Sequence, residues 1–105
     1  MNTIDKIKRS NQKKLIKFCK AEKYACELYS RRSEFFPYSK TKIYSLVKKK
    51  FRTNPYVLEA VEAGAESWNY HSESGNWYES LKKKIPFFSF KDLSDVRKVV
   101  KLGIV

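Results

Sequence analysis

The chain has 105 residues, the size of one small domain, and a formal net charge of +12, which makes it strongly basic. It contains 16 aromatic residues but three Gly and three Pro, a composition that argues against disorder and against a turn-rich β fold. No apolar run approaches the ~18 residues of a membrane span and the basic N-terminus lacks the apolar segment of a secretory signal, so we expect a cytoplasmic protein that does not bind membranes.

The charge is distributed unevenly along the chain. Residues 1–52 carry 16 Lys and Arg against 4 Asp and Glu, whereas residues 53–79 carry 5 Glu and neither Lys nor Arg. Residues 80–105 are basic again, with 7 Lys and Arg against 2 Asp. A field this positive attracts phosphates, acidic proteins or anionic lipid, and it does not determine the fold.

The spacing of apolar residues predicts about five helices, of which the first spans residues 11–32 after a short turn that holds Ile4 and Ile7. The apolar stripe of this helix comprises Leu15, Phe18, Cys19, Ala25, Cys26 and Tyr29. Glu22 falls in the middle of the stripe. Because a buried carboxylate needs a partner, we expect Glu22 either to meet a Lys or Arg of another helix or to lie where the stripe is half covered.

Two turn signals separate the next helices. Pro37 ends the first helix, and Ser39 is the expected N-cap of a second helix that runs to about Phe51. Asn54 as N-cap with Pro55 at the first position predicts a third helix. We expect that helix to have an apolar side made of Val57, Leu58, Val61, Ala65 and Trp68 and an exposed acidic side made of Glu59, Glu62 and Glu66.

The region after the third helix allows two interpretations. Gly64 is expected to weaken or end the third helix. Asn76 and Glu79 have the spacing of a capping box, which predicts a short fourth helix over residues 77–84. A small β-hairpin near residues 67–82 is the competing interpretation.

The last helix has clear signals at both ends. Ser89 and Asp92 repeat the capping-box spacing at its start, and Gly103 is the expected stop. Taken together, the pattern predicts an all-α, compact bundle of about five helices that forms a single domain over residues 1–105.

The sequence offers little support for catalysis. His71 is the one histidine of the sequence, and we interpret it as a turn residue rather than a general base. Cys19 and Cys26, seven residues apart on an apolar stripe, are too far apart for a disulfide and are expected to be reduced and inert. Asp92 and Asp95 resemble a magnesium-binding pair but are more simply acids that complement a helix dipole. We expect no enzymatic activity, no cofactor and no metal.

A surface that mixes cations with aromatic rings is the strongest functional signal. Tyr24 falls among the lysines of the first helix, and Tyr38 lies beside Pro37, so either ring is a candidate for stacking on a base while cations neutralise phosphates. The alternative for each residue is a solvated lysine face with an incidental tyrosine. The predicted nucleic-acid-binding residues are Lys13, Lys17, Lys20, Tyr24, Arg31, Arg32, Tyr38, Lys42, Lys48, Lys49 and Arg52.

The second and third helices superficially suggest a helix-turn-helix. The recognition helix would then carry three glutamates on its exposed side, where they would repel phosphates, so we reject this mode of docking. We expect the glutamates of residues 53–79 to pair with lysines of the same molecule. A second binding surface, for a basic partner or another copy of the chain, is the alternative.

These observations lead to two hypotheses for function. The first is a non-enzymatic accessory protein that binds DNA or RNA by gripping the phosphate backbone through the N-terminal half. The alternative is a small phage-type inhibitor or modulator that binds a larger host protein or ribonucleoprotein, in an anti-defence or transcription-modulating role. The sequence leaves open DNA versus RNA, sequence specificity and oligomeric state.

Overall fold

The computed structural model describes residues 3–31, 39–67 and 76–104, with side chains from residue 9 onward. These residues form five α-helices and no strand: α1 (Thr3–Arg31), α2 (Lys40–Lys50), α3 (Val57–Ser67), α4 (Trp77–Lys84) and α5 (Phe90–Lys101). The all-α prediction is confirmed. The hairpin interpretation is wrong, because residues 77–82, which would form its second strand, belong to α4.

The first helix is longer than predicted. It begins at Thr3, so the expected turn around Ile4 and Ile7 is part of α1. Residues 3–10 contain neither Gly nor Pro, and nothing in this segment interrupts a helix. Asn11, the expected first residue, is buried within α1, and its Nδ2 donates to the carbonyl of Pro86 at 2.6 Å.

The second helix has the predicted ends, and the third begins later than predicted. Ser39 caps α2 by accepting a hydrogen bond from the backbone N–H of Lys42 at 3.2 Å. Asn54 Oδ1 accepts from the N–H of Tyr56 at 2.9 Å and so caps a local turn, after which α3 begins at Val57. The Nδ2 of Asn54 donates to the carbonyl of Lys17 at 2.9 Å, which fixes this turn against α1.

The third helix is the most buried element among the described residues. It packs against α1, α2 and α4. Because three helices cover it, Glu59 and Glu62 are buried at 1% and 8% exposure, whereas Leu58 is 54% exposed. The predicted division of α3 into an apolar buried side and an acidic exposed side is therefore wrong at these three positions, although Glu66 is exposed as expected.

Gly64 neither ends α3 nor lies on its surface. The helix continues to Ser67, and Gly64 is buried where α3 crosses α1. A Cβ atom at Gly64 would lie 3.3 Å from the Cβ of Ala25 and 3.3 Å from Cε2 of Tyr29. The missing side chain allows the two helices to approach closely.

The last two helices complete the core beside α1. The Asn76–Glu79 capping box is not formed, since the side chain of Asn76 makes no capping hydrogen bond. The Ser89–Asp92 box is formed in both directions. Gly103, at φ 74°, ends α5 as predicted: its N–H donates to Val100, and that of the next residue donates to Val99.

Candidate nucleic-acid interface

The outer surface of α1 carries a stripe of cations. Lys13, Lys17, Lys20 and Arg31 are all exposed. At 100° per residue they fall within a sector of about 60°, on the side of α1 opposite its core residues. We call these four residues the α1 stripe; it extends about 27 Å along the helix at 1.5 Å per residue.

The end of α2 meets this stripe in an open cleft. The cleft has a volume of about 630 Å³ and is lined by Lys17, Lys49, Lys50, Phe51, Arg52, Thr53 and Asn54. Four of the seven lining residues are cations, and the lining contains no carboxylate. The cleft exists because the Asn54 amide fixes the α2–α3 connection to the backbone of Lys17. We call it the basic cleft.

The predicted binding residues do not all lie in one place. Lys17, Lys49 and Arg52 line the basic cleft, and the rest of the α1 stripe continues from Lys17. Lys42 and Lys48 are exposed on α2 but do not line the cleft. Two further predicted residues, Arg32 and Tyr38, lie outside the described residues.

The cations at the end of α2 also have a structural role. Lys48, Lys49 and Lys50 occupy the last turn of α2. Cations there complement the partial negative charge of a helix C-terminus, an effect worth roughly 0.3–1 kcal/mol each when exposed. This role accounts for positive charge at the last turn of α2, but it does not apply to Lys17 or Arg52.

Tyr24 lies at the junction of α1 and α2 and is half-buried. Lys50 Nζ lies 4.1 Å from the centroid of its ring, and the ring of Phe51 meets it in a T-shaped contact at 6.0 Å. Tyr24 therefore packs against Lys50 and Phe51, which line the basic cleft. Stacking of a base on Tyr24, as predicted from sequence, requires Lys50 to move off the ring.

Two glutamates of α3 are paired with cations outside the predicted set. Glu62 pairs with Lys40, and Glu59 with Lys84 at 2.6 Å. The predicted intramolecular pairing of the acidic segment is confirmed for these two glutamates. Glu66 instead accepts from Trp77 Nε1 at 2.6 Å. In the described residues, no cation of the basic cleft or the α1 stripe forms a salt bridge.

Glu22 has the partner that its position in the apolar stripe requires. Arg97 of α5 binds it with two hydrogen bonds, from Nε to Oε1 at 2.9 Å and from Nη2 to Oε2 at 2.7 Å. Burial raises the pKa of the Glu22 carboxyl, and the hydrogen bonds and charge of Arg97 offset part of that shift. The guanidinium also packs over the ring of Trp77 at 5.5 Å. The pair joins α5 to α1.

Of the residues considered for catalysis, Cys19 and Cys26 line one cavity beside the Glu22–Arg97 pair, and Asp92 is used by a helix cap. Burial and then the charge of Glu22 raise the pKa of Cys19 to about 12, which leaves its thiol protonated and unreactive. No disulfide joins Cys19 to Cys26. Asp92 accepts the N–H of Ser89 in the capping box. His71 lies outside the described residues.

The described residues show neither a metal-binding group nor a membrane-spanning helix. They contain no group of three or more His, Cys, Asp or Glu side chains that could hold a metal ion. None of their helices is both long enough and apolar enough to cross a membrane.

Sequence reasoning missed two polar residues of the basic cleft. Lys50 falls in the apolar sector of α2 on the helical wheel, where a long side chain can extend outward to water, but its ammonium group lies over Tyr24 and the residue lines the cleft. Asn54 was interpreted as an N-cap, and its amide also builds the cleft wall. The signal for both was the run of residues 48–54, in which Phe51 is the one apolar residue.

Comparison of the chain with models of protein families, with curated proteins and with solved structures found no match.

Proposed function

We propose that this protein is a non-enzymatic nucleic-acid-binding accessory protein that grips the phosphate backbone with the basic cleft and the α1 stripe. The observation that carries the proposal is the lining of the cleft, where four cations surround an open concavity without a carboxylate. Each phosphate neutralised by such a cation releases condensed counterions, which is the main source of affinity for a polyanion.

The shape of the surface favours a polymer over a small anion. The α1 stripe extends about 27 Å from Lys13 to Arg31, a length that matches several successive phosphates rather than one. Lys17 belongs to both the stripe and the cleft, so Lys13, Lys17 and Lys20 continue the cleft as one cationic track, and Arg31 follows beyond the exposed Glu27. A single small anion would use the cleft and leave the stripe without a role.

The track favours contacts to the backbone over reading of bases. Lysine side chains act as flexible point charges, which position a protein on a duplex or strand without carrying sequence information. A helix-turn-helix mode of docking is excluded by burial of α3 beneath α1, α2 and α4, which prevents it from entering a groove. Repulsion by exposed glutamates does not exclude this mode, because Glu59 and Glu62 are buried; the burial of α3 itself excludes it.

A titration with matched charge-reversal variants tests the proposal. We expect Lys49→Glu combined with Arg52→Glu to reduce affinity for a labelled oligonucleotide by about 30-fold or more at low salt, because both side chains line the cleft. The control is Lys98→Glu combined with Lys101→Glu, which changes the net charge equally on the exposed side of α5. Equal losses of affinity in both variants would mean that binding depends on net charge and not on the cleft, which would contradict the proposal.

The competing hypothesis of a modulator that docks on a larger protein makes a different prediction. Partners recovered on the tagged chain from a lysate should be lost after nuclease treatment if a nucleic acid links them to it. A partner protein that remains bound after nuclease, and that Lys49→Glu with Arg52→Glu does not release, would replace the proposed function with the modulator hypothesis.

A further inference from the structure

Phe87 combines two features that a purely structural residue rarely has. Its side chain is 83% exposed, and its backbone adopts a φ of 66°, in the left-handed region that disfavours bulky side chains. Glycine or asparagine would adopt this conformation with less strain. Because the ring is so exposed, it contributes little to the core. The fold therefore gains nothing evident from an aromatic side chain at this position.

A second exposed ring lies at the start of α5, beside a cation. Phe90 is 58% exposed, and its ring centroid lies 5.7 Å from that of Tyr78. Lys82 Nζ lies 5.2 Å from the Tyr78 centroid on the same short helix. We call Tyr78, Lys82 and Phe90, together with the exposed ring of Phe87 three residues before Phe90, the aromatic platform. Its backbone is tied to α1 by the hydrogen bond from Asn11 to Pro86.

The charges around the platform favour a polyanion over a protein partner. Lys82, Lys83 and Lys91 are exposed on or beside it, and lysine is depleted in the cores of protein–protein interfaces. Two acids lie close to the platform in sequence: Glu79 is exposed next to Tyr78, and Asp92 uses a carboxylate oxygen to accept the N–H of Ser89. Exposed rings among cations are the arrangement that binds unpaired bases, because every base has a π face and every nucleotide a phosphate.

We infer that the aromatic platform stacks on unpaired bases of a single-stranded nucleic acid, with Phe87 and Phe90 as the stacking rings and Lys82 as a phosphate contact. The inference rests on the proposed function and adds to it a preference for single strands over duplex. It also moves the stacking role from Tyr24, whose ring is covered by Lys50, to rings that are accessible. The contacts involve base and phosphate, so they do not depend on the sugar.

The test compares two probes of identical sequence. One is a labelled homopyrimidine oligonucleotide, as DNA and as RNA; the other is the same strand annealed to its complement. We expect Phe87→Asn and Phe90→Leu each to weaken binding of the single strand about fivefold or more, with little change for the duplex. Asn tolerates the left-handed backbone of Phe87, and Leu keeps the apolar bulk of Phe90 without a π face.

Leu102→Ala is the matched control, since Leu102 is a 74% exposed apolar residue just after α5 and outside the platform. Circular dichroism and melting temperature confirm that each variant is folded. If the wild type binds both probes and the Phe variants bind as tightly, the inference fails while the proposed function survives. Equal losses on single strand and duplex would also overturn base stacking. If the wild type binds neither probe, the proposed function itself is refuted.

Discussion

The glutamates of α3 and the lysines of α1 and α2 carry opposite charges and have opposite environments. Glu59 and Glu62 are buried and paired with Lys84 and Lys40, respectively. The α1 stripe and the basic cleft are exposed, and among the described residues their cations form no salt bridge. The molecule thus pairs these two glutamates internally and leaves the cations of the α1 stripe and the basic cleft available to a partner.

This difference explains why net charge and helix position must be considered together. An acidic helix on the surface would have screened the neighbouring lysines, because exposed opposite charges within about 10 Å reduce each other's field. Because α3 is buried, Glu59 and Glu62 pair with Lys84 and Lys40, respectively, and neither lysine lines the cleft. The predictions below test each half of this comparison, from the largest expected change in folding free energy to the smallest.

Gly64→Val tests whether α3 is the central helix. A valine side chain at this position would meet Ala25 and Tyr29 of α1, both buried, at less than van der Waals distance. We expect a loss of about 2–3 kcal/mol in the free energy of unfolding, measured by urea denaturation. Leu58→Val, at an exposed position of the same helix, should cost less than about 0.5 kcal/mol. A small effect of the Gly64 variant would mean that α1 and α3 are not in close contact.

Arg97→Met tests whether the buried acids depend on their cationic partners. Met keeps apolar bulk beside Trp77 but leaves the Glu22 carboxylate without its two hydrogen bonds. We expect a loss of about 2 kcal/mol at pH 7, less than for a fully buried pair because the Arg97 side chain is 29% exposed.

The loss should depend on pH in a defined direction. Burial already raises the pKa of Glu22 above its ordinary 4.5, and removing Arg97 raises it further. The folded variant then binds a proton more readily than the unfolded chain, so the destabilisation is complete above the folded-state pKa and disappears as the pH falls below about 4.5. A loss that is equal at pH 4 and pH 7 would contradict burial of the charged group; Arg97→Lys is the control that keeps the charge.

Phe87→Asn tests whether the aromatic platform stores strain. Asn adopts a positive φ at lower cost than Phe, and a ring that is 83% exposed contributes little packing. We expect the free energy of unfolding to be unchanged or raised by up to about 1 kcal/mol, measured by thermal and urea denaturation. A marked loss of stability would mean that the ring supports the fold.

Lys48→Glu combined with Lys49→Glu tests whether these two lysines are needed for binding rather than for folding. Both side chains are exposed, and neither pairs with an acid of the described residues. We expect the variant to fold, with a change of less than about 1 kcal/mol for each substitution that reflects the α2 C-terminus alone, and to bind nucleic acid much more weakly. Unchanged affinity, measured by filter binding, would contradict the assignment of α2 to the interface.

The elements with strong local signals were predictable from sequence. Ser39 and the Ser89–Asp92 pair cap helices because their side chains satisfy backbone N–H groups within three residues, and Gly103 ends a helix through its own backbone. The partner class of Glu22 was also predictable, since a carboxylate within an apolar stripe needs a cation.

The features that depend on tertiary packing were not predictable. A helical wheel assumes one buried side, but α3 is covered by three helices, so Glu59 and Glu62 are buried and Leu58 is exposed. The basic cleft depends on a hydrogen bond between Asn54 and Lys17, which are far apart in sequence. The strain at Phe87 is a backbone property that no residue pattern indicates.

The salt dependence of binding tests the central claim most directly. For duplex DNA, each neutralised phosphate contributes about −0.9 to the slope of log K against log salt concentration, so the four cations of the basic cleft predict a wild-type slope of about −3 or steeper. Lys49→Glu with Arg52→Glu should make the slope shallower by about 2 or more. A flat wild-type slope, or no binding at low salt, would contradict the proposal that this surface grips a phosphate backbone.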